Sequence, residues 1–336
     1  MLCDEDADLP LSGLYSRLHV HSKVELTFNG SSIIRQPICI SADDRTFAIA
    51  LNPDTEHTYS WYPVNTLSRR HTHCMIVHDK DLGRLVNRYE FEINKWNSSK
   101  AWTFAPESTL FVTASDNGHL ASSSMYKFKF DEQGRIKYKE CDRYYTPWAY
   151  TQHKIIYDKL DSQRLIYITD NGQEMGYVLA DGTHYQQNWQ VPGSRVVHSI
   201  GLGLAQNSHG ELYVSRHGYT QGFLMYDPRM KYIQTLDISK LQERYNPHGD
   251  ASSVFCETID NHDNVVMRFR GKSGIVRSDP LLSNYGEMLP IPTISTYEGS
   301  LRIAGIHSNG DYNYMIKTHH TTTIVRQPID NKTPFY

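Results

Sequence analysis

Short apolar runs alternate with polar turns along the whole chain, and the alternation recurs at a fixed interval. Six times a turn leads into an apolar strand, a loop, a second strand and then an Asp in a further turn. The closing residues are Asp79, Asp131, Asp181, Asp227, Asp279 and Asp330, spaced 46 to 52 residues apart. Upstream of each stands a β-rich segment: TFAIAL, TLFVTAS, RLIYIT, ELYVS, NVVMRF and YNYMIK. A polar turn precedes each one: SADDR, APES, KLDSQ, NSHG, NHD and SNGD. Helical periodicity is lacking except in ISKLQERY, which predicts a helical turn or two. An all-strand repeat of this length predicts an all-β fold, a six-bladed β-propeller.

The ends of the chain bear on how such a ring closes. The last repeat stops at Asp330, six residues from the C-terminus, and leaves no room for a fourth strand. A ring either closes or exposes edges, so KVELTFNG near the N-terminus is the expected outer strand of the last blade. Seven blades result if the first 36 residues form a blade of their own. Residues 1–13 read as a polar tail and 14–336 as one propeller domain.

Composition narrows the class. The chain has 23 Tyr, 11 Phe and 5 Trp, which suits strands packed face to face. A net charge of -3 gives no footing for nucleic acid as a partner. Cys3, Cys39, Cys74, Cys141 and Cys256 are odd in number and scattered, so no disulfide framework is implied. No apolar run approaches the ~20 residues that span a bilayer, and MLCDEDADLPLSG is no secretory signal. The expectation is a protein acting outside the cell, as a secreted mature form or a virion component, with no cofactor.

Blade geometry then groups the candidate chemistry. In an antiparallel blade the start of the first strand and the end of the second lie at one rim. His153, His198 and His248 precede their closing Asp by 28, 29 and 31 residues, which puts each at the opening of a first strand. His217, Arg270 and His320 precede theirs by nine or ten and close second strands. The pattern predicts a crown of His and Arg around one mouth of a channel, a common place for a binding pocket.

The stretch VVHSIGLGLAQNSHGELYVSRHGYTQGFLMYD, with SVFCETIDNHDNVVMRFRG after it, resembles BNR-type propellers related to ulvan lyases over about residues 190–275. A His opens one strand, a polar turn with Gly precedes the next, and a second His follows, here 19 residues on from His198 to His217. The resemblance supplies Arg270 for the family's Arg, but Val254 stands where the family has a Tyr. It implies a polysaccharide lyase acting on acidic, uronate-containing polysaccharide. Arg270 would pair with the sugar carboxylate, because a planar fork suits it. A neutral His198 would take the C5 proton, and His217 would act as acid or position the substrate. His153, His248, Tyr219 and Tyr245 would contribute to substrate binding.

Other constellations are read differently. His71, His73, Cys74 and His78 in HTHCMIVH are zinc-ligand types, yet strand alternation sets His71 and His73 on one face and Cys74 and His78 on the other. Asp170, Asp250 and Glu257 are carboxylates of the kind glycoside hydrolysis uses, without a pairing spacing. GLGLAQ is followed by no helix and is no phosphate loop. The alternative to a lyase is a non-catalytic propeller, glycan-binding or part of a virion or surface assembly.

Overall fold

The computed structural model describes residues 19–20, 24–28, 31–39, 48–63, 71–80, 85–93, 97–116, 123–144, 152–162, 164–169, 174–179, 189–190, 202–216, 222–247, 254–269, 274–290, 300–317 and 321–327. Three strands come first: β1 (His19–Val20), β2 (Val24–Phe28) and β3 (Ser31–Cys39). A four-stranded sheet follows, β4 (Ala48–Leu51), β5 (Thr58–Pro63), β6 (His71–His78) and β7 (Leu85–Ile93). The next holds β8 (Asn97–Ala105), β9 (Thr109–Asp116), β10 (Ser123–Phe130) and β11 (Ile136–Tyr144). A third contains β12 (Gln152–Tyr157), β13 (Arg164–Thr169), β14 (Glu174–Leu179) and β15 (Trp189–Gln190). A fourth is built of β16 (Leu202–Gln206), β17 (Leu212–Arg216), β18 (Phe223–Tyr226) and β19 (Tyr232–Leu236), with helix α1 (Ser239–Tyr245) after it. The fifth has β20 (Val254–Ile259), β21 (Val265–Phe269), β22 (Gly274–Ser278) and β23 (Leu289–Pro290). Finally β24 (Ser300–Ile306), β25 (Tyr312–Lys317) and β26 (Thr321–Gln327) run on to β3.

Two compact units result. The first takes β1–β7, β9–β11 and β24–β26, the second β12–β23 with α1, and β8 passes from one to the other. In the second unit β16 runs beside β12 and β20, so successive sheets meet through their first strands. The first unit repeats the arrangement with β24 beside β4. Gly305 in β24 makes that approach feasible: a Cβ there would stand 2.7 Å from the Cβ of Leu51.

The N-terminus completes the last sheet, as expected, but with a different strand. β26 pairs with β3 in antiparallel register, Thr321 opposite Cys39 through Arg326 opposite Ile34. Of KVELTFNG, Val24–Phe28 form β2, one place further out, paired with β3. A second correction concerns the first repeat. TFAIAL ends in β4, the first strand of its sheet, whereas the other five segments fall on second strands; the second strand here is β5. The hairpin turn of this sheet is formed by Asn52–His57, and SADDR lies outside the described residues.

The recurring Asp has a physical cause. Asp131 Oδ1 accepts the backbone N–H of Gln133 at 2.9 Å and of Arg135 at 2.8 Å, closing the turn between third and fourth strands. Asp227 does the same with Arg229 and Lys231, and Asp279 with Ser283 and Asn284. A short acceptor two atoms from the backbone replaces the missing ladder partner of a tight turn. Asp181 and Asp330 lie outside the described residues.

The hairpin turns between first and second strands carry a further repeated contact. Asp54 accepts the N–H of Ser108 at 2.5 Å, and Asp263 accepts Ser208 N at 2.8 Å and Ser208 Oγ at 2.5 Å. Glu56 takes Ser308 N and Oγ, both at 2.6 Å, tying the first four-stranded sheet to the last sheet. Each is a clasp in which a carboxylate in one turn satisfies a donor in a neighbouring sheet's turn. Between sheets the core is aromatic and aliphatic. Phe130 lies 4.6 Å from Tyr59 and 6.5 Å from Tyr89, ring centre to centre. In the second unit Tyr213, Phe223, Val254, Met267 and Phe269 are buried together. Among the described residues no helix is long and apolar enough to cross a membrane.

Candidate functional site

The second unit holds the stretch that the sequence singles out. Its strands β20 and β21 are buried except where they carry polar or charged side chains. VFCETI is half-buried at Glu257 and Thr258, and VVMRF only at Arg268. Three sheets share one antiparallel pattern. The start of each first strand pairs with the end of the second: Gln152 with Thr169, Leu202 with Arg216, Val254 with Phe269.

The predicted residues divide by what is described. His217 follows directly on β17 and Arg270 on β21, while His198 precedes β16 by four residues. These three, with Tyr219, His248 and His320, lie outside the described residues. His153 is the second residue of β12, and its side chain is likewise outside. Tyr245 ends α1, and its hydroxyl donates to the carbonyl of Gly286 at 2.5 Å. Its ring packs on Phe269 and Tyr285, and burial raises its pKa, with Arg244 partly offsetting this. Of the metal-ligand types, His78 is fully buried, and burial pushes its pKa down to about 4 although Asp79 opposes the shift. The side chains of His71 and His73 are outside the described residues, as are Asp170 and Asp250. Cys74 sits on β6 opposite Tyr62 and four residues before His78.

Glu257 is described, and it is no free acid. Its Oε1 accepts from Arg268 Nε at 2.8 Å across the β20–β21 pair. The Arg268 guanidinium also lies 4.4 Å above the ring of Phe255, its register partner. Lys154, on β12, reaches past β16 and donates to the carbonyl of Glu257 at 2.8 Å. Glu257 is therefore held twice, through its carboxylate by Arg268 and through its backbone carbonyl by Lys154. Gly203 lets the strands come close at this level: a Cβ there would stand 2.1 Å from the carbonyl oxygen of Cys256. The backbone N–H of Cys256 donates to Ser215 Oγ at 2.9 Å. Burial pushes the Cys256 thiol up to about 12, with Lys154 lowering it slightly, so this sulfur stays protonated and inert.

Lys154 and Arg268 are functional candidates that sequence reading does not single out. The signal for Arg268 is present: it shares strand parity with Arg270 two positions on. What hides it is the bulge between Cys256 and Thr258, which sets the register that brings Glu257 to it.

The sequence matches no protein-family model and no curated protein. Solved structures do resemble it. Virginiamycin B lyase from Staphylococcus aureus aligns with a TM-score of 0.54 at 11% identity, over 88% of this chain and 99% of that one. A glucose dehydrogenase aligns with a TM-score of 0.53 at 10% identity, over 87% and 99%. A chain of the COPII outer coat vertex on membranes gives 0.55 at 10% identity, over 87% and 86%. The fold is that of a β-propeller. Two enzymes and a coat component on one scaffold show that function here must be argued from side chains.

Proposed function

We propose that this propeller takes an acidic, uronate-containing polysaccharide on the side of the second unit where β16 and β20 begin, and cleaves it by β-elimination. The observation that supports the reading is the register: β16 starts where β17 ends, β20 starts where β21 ends, and β16 runs beside β20. The segments holding His198, His217 and Arg270 attach to those strand ends. Arg270 pairs with the carboxylate and so acidifies the neighbouring C5–H. Neutral His198 takes that proton; the electron pair forms the C4–C5 double bond and expels the glycosidic oxygen, which His217 protonates. His153, His248, Tyr219 and Tyr245 line the approach and hold the sugar chain.

The test is ultraviolet absorbance of the unsaturated uronate product over a panel of acidic polysaccharides. His198→Ala should reduce turnover by ~10²–10⁴ and leave sugar binding largely intact. Arg270→Lys should weaken both, since a point charge replaces a fork. If no polymer yields product with the wild-type protein, elimination is ruled out.

A second reading, a glycan-binding propeller without catalysis, is favoured by one observation. Val254 holds the position where the resembled lyases have a Tyr, and its side chain is 2% exposed in the core with Phe269 and Val276. That position delivers no phenol to a substrate. The binding reading predicts acidic-glycan affinity with no product from any polymer.

A further inference from the structure

We infer that Arg268, not only the strand-end residues, forms a binding site for a single anionic oxygen group, a carboxylate or sulfate ester of an acidic sugar. The inference rests on the proposed function only for the ligand's being a sugar. The guanidinium is fixed on two sides. Its Nε is bonded to Glu257 Oε1 at 2.8 Å, and its face lies on Phe255, which is itself buried. The terminal nitrogens have no partner among the described residues, and the side chain keeps 19% exposure. A guanidinium held by Nε presents the edge formed by its two terminal NH₂ groups, where two parallel donors meet two oxygens of one anion. Holding the fork in place beforehand removes the rotamer entropy a free Arg would lose on binding.

Lys154 reaches the same strand, its Nζ donating to the Glu257 backbone carbonyl at 2.8 Å. A uronate carboxylate or a sulfate ester offers the guanidinium edge two charged oxygens, whereas a neutral sugar offers none. Glu257 thus positions the guanidinium through its Nε.

The experiment follows the side-chain nitrogen resonances of Arg268 in the wild-type protein during titration with glucuronate, inorganic sulfate and glucose. Both anions should move the Arg268 signals saturably and glucose should not; a response to sulfate alone would assign the site to sulfate esters rather than carboxylates. Signals that move with neither anion overturn the inference. Arg268→Gln and Arg268→Lys give the second arm, read as affinity for an oligoglucuronate and its carboxyl-reduced neutral counterpart. Loss of the charge-assisted pair should cost the acidic ligand about tenfold or more in Arg268→Gln, with the neutral ligand unchanged. Wild-type binding of the acidic chain that Arg268→Gln leaves intact overturns the inference but spares the proposed function. Anion-induced shifts at Arg268 without affinity for any acidic chain do the reverse.

Discussion

At the level of single residues, His78 is the clearest case of an environment deciding chemistry. It sits on β6 opposite Thr58, fully buried, with neither ring nitrogen hydrogen-bonded among the described residues. Burial depresses its pKa from 6.5 to about 4. In the unfolded chain the imidazole takes a proton below its ordinary pKa, while in the folded chain it resists until far lower. Its contribution to stability is therefore complete above pH 6.5 and is lost as pH falls from there toward 4, amounting to about 3 kcal/mol. His78→Leu should flatten that part of the stability–pH profile, measured as the urea midpoint at each pH. An unchanged slope would mean that other groups govern acid sensitivity. Val254 illustrates the opposite situation, a site-like position occupied by core. Val254→Tyr forces a ring into a packed cluster and should destabilise by about 1–3 kcal/mol, so thermal melting checks it before any assay of activity.

Turns and strands show how much of the fold is legible in the chain. Second strands such as ELYVS and NVVMRF read correctly because a buried run bounded by polar turns has few other interpretations. The first repeat misleads because Thr58 and Ser60 are polar yet fully buried on β5, so TYSWYP looks like loop and TFAIAL takes its place. The closing strand misleads for another reason. β3 carries Pro37, which pairs with Thr323 inside the ladder, and a Pro ordinarily argues against a strand between two others. That the start of a first strand pairs with the end of the second follows from antiparallel pairing alone, but the Glu257–Arg268 contact depends on a bulge that no pattern announces. The carboxylate clasps belong to this scale as well. Asp263 adopts φ 62°, a region where Gly is at ease and other residues are strained. Asp263→Gly relieves that strain but removes both bonds to Ser208, so it should lower stability by about 1 kcal/mol in a urea titration. If it stabilises instead, the clasp contributes nothing. Glu56 sits at φ 57° in the same way. Burial raises its pKa, but the hydrogen bonds from Ser308 and the charge of His307 outweigh this and leave it lowered. Its clasp is therefore intact above the ordinary carboxylate range and weakens as pH falls through the lowered value.

For the whole molecule, the two ends of the chain meet in one sheet, and truncation from the N-terminus should act in steps. Removing residues 1–30 strips β1 and β2 but leaves β3 on β26. Removing residues 1–39 also takes β3 and bares the edge of β26. The longer truncation should lower the melting temperature by roughly 5 °C or more beyond the shorter one. Equal melting of the two would show that β3 does not secure the last sheet. The propeller scaffold itself is neutral about function, and the claim for an acidic glycan rests on the His and Arg segments at the strand ends of the second unit, together with Arg268 on β21. Isothermal calorimetry of the wild-type protein with an oligoglucuronate and its carboxyl-reduced counterpart tests that claim most directly. The acidic chain should bind at least about tenfold tighter than the neutral one, and its binding should weaken as salt screens the charge. Equal affinity for the two chains, or none for either, would contradict it.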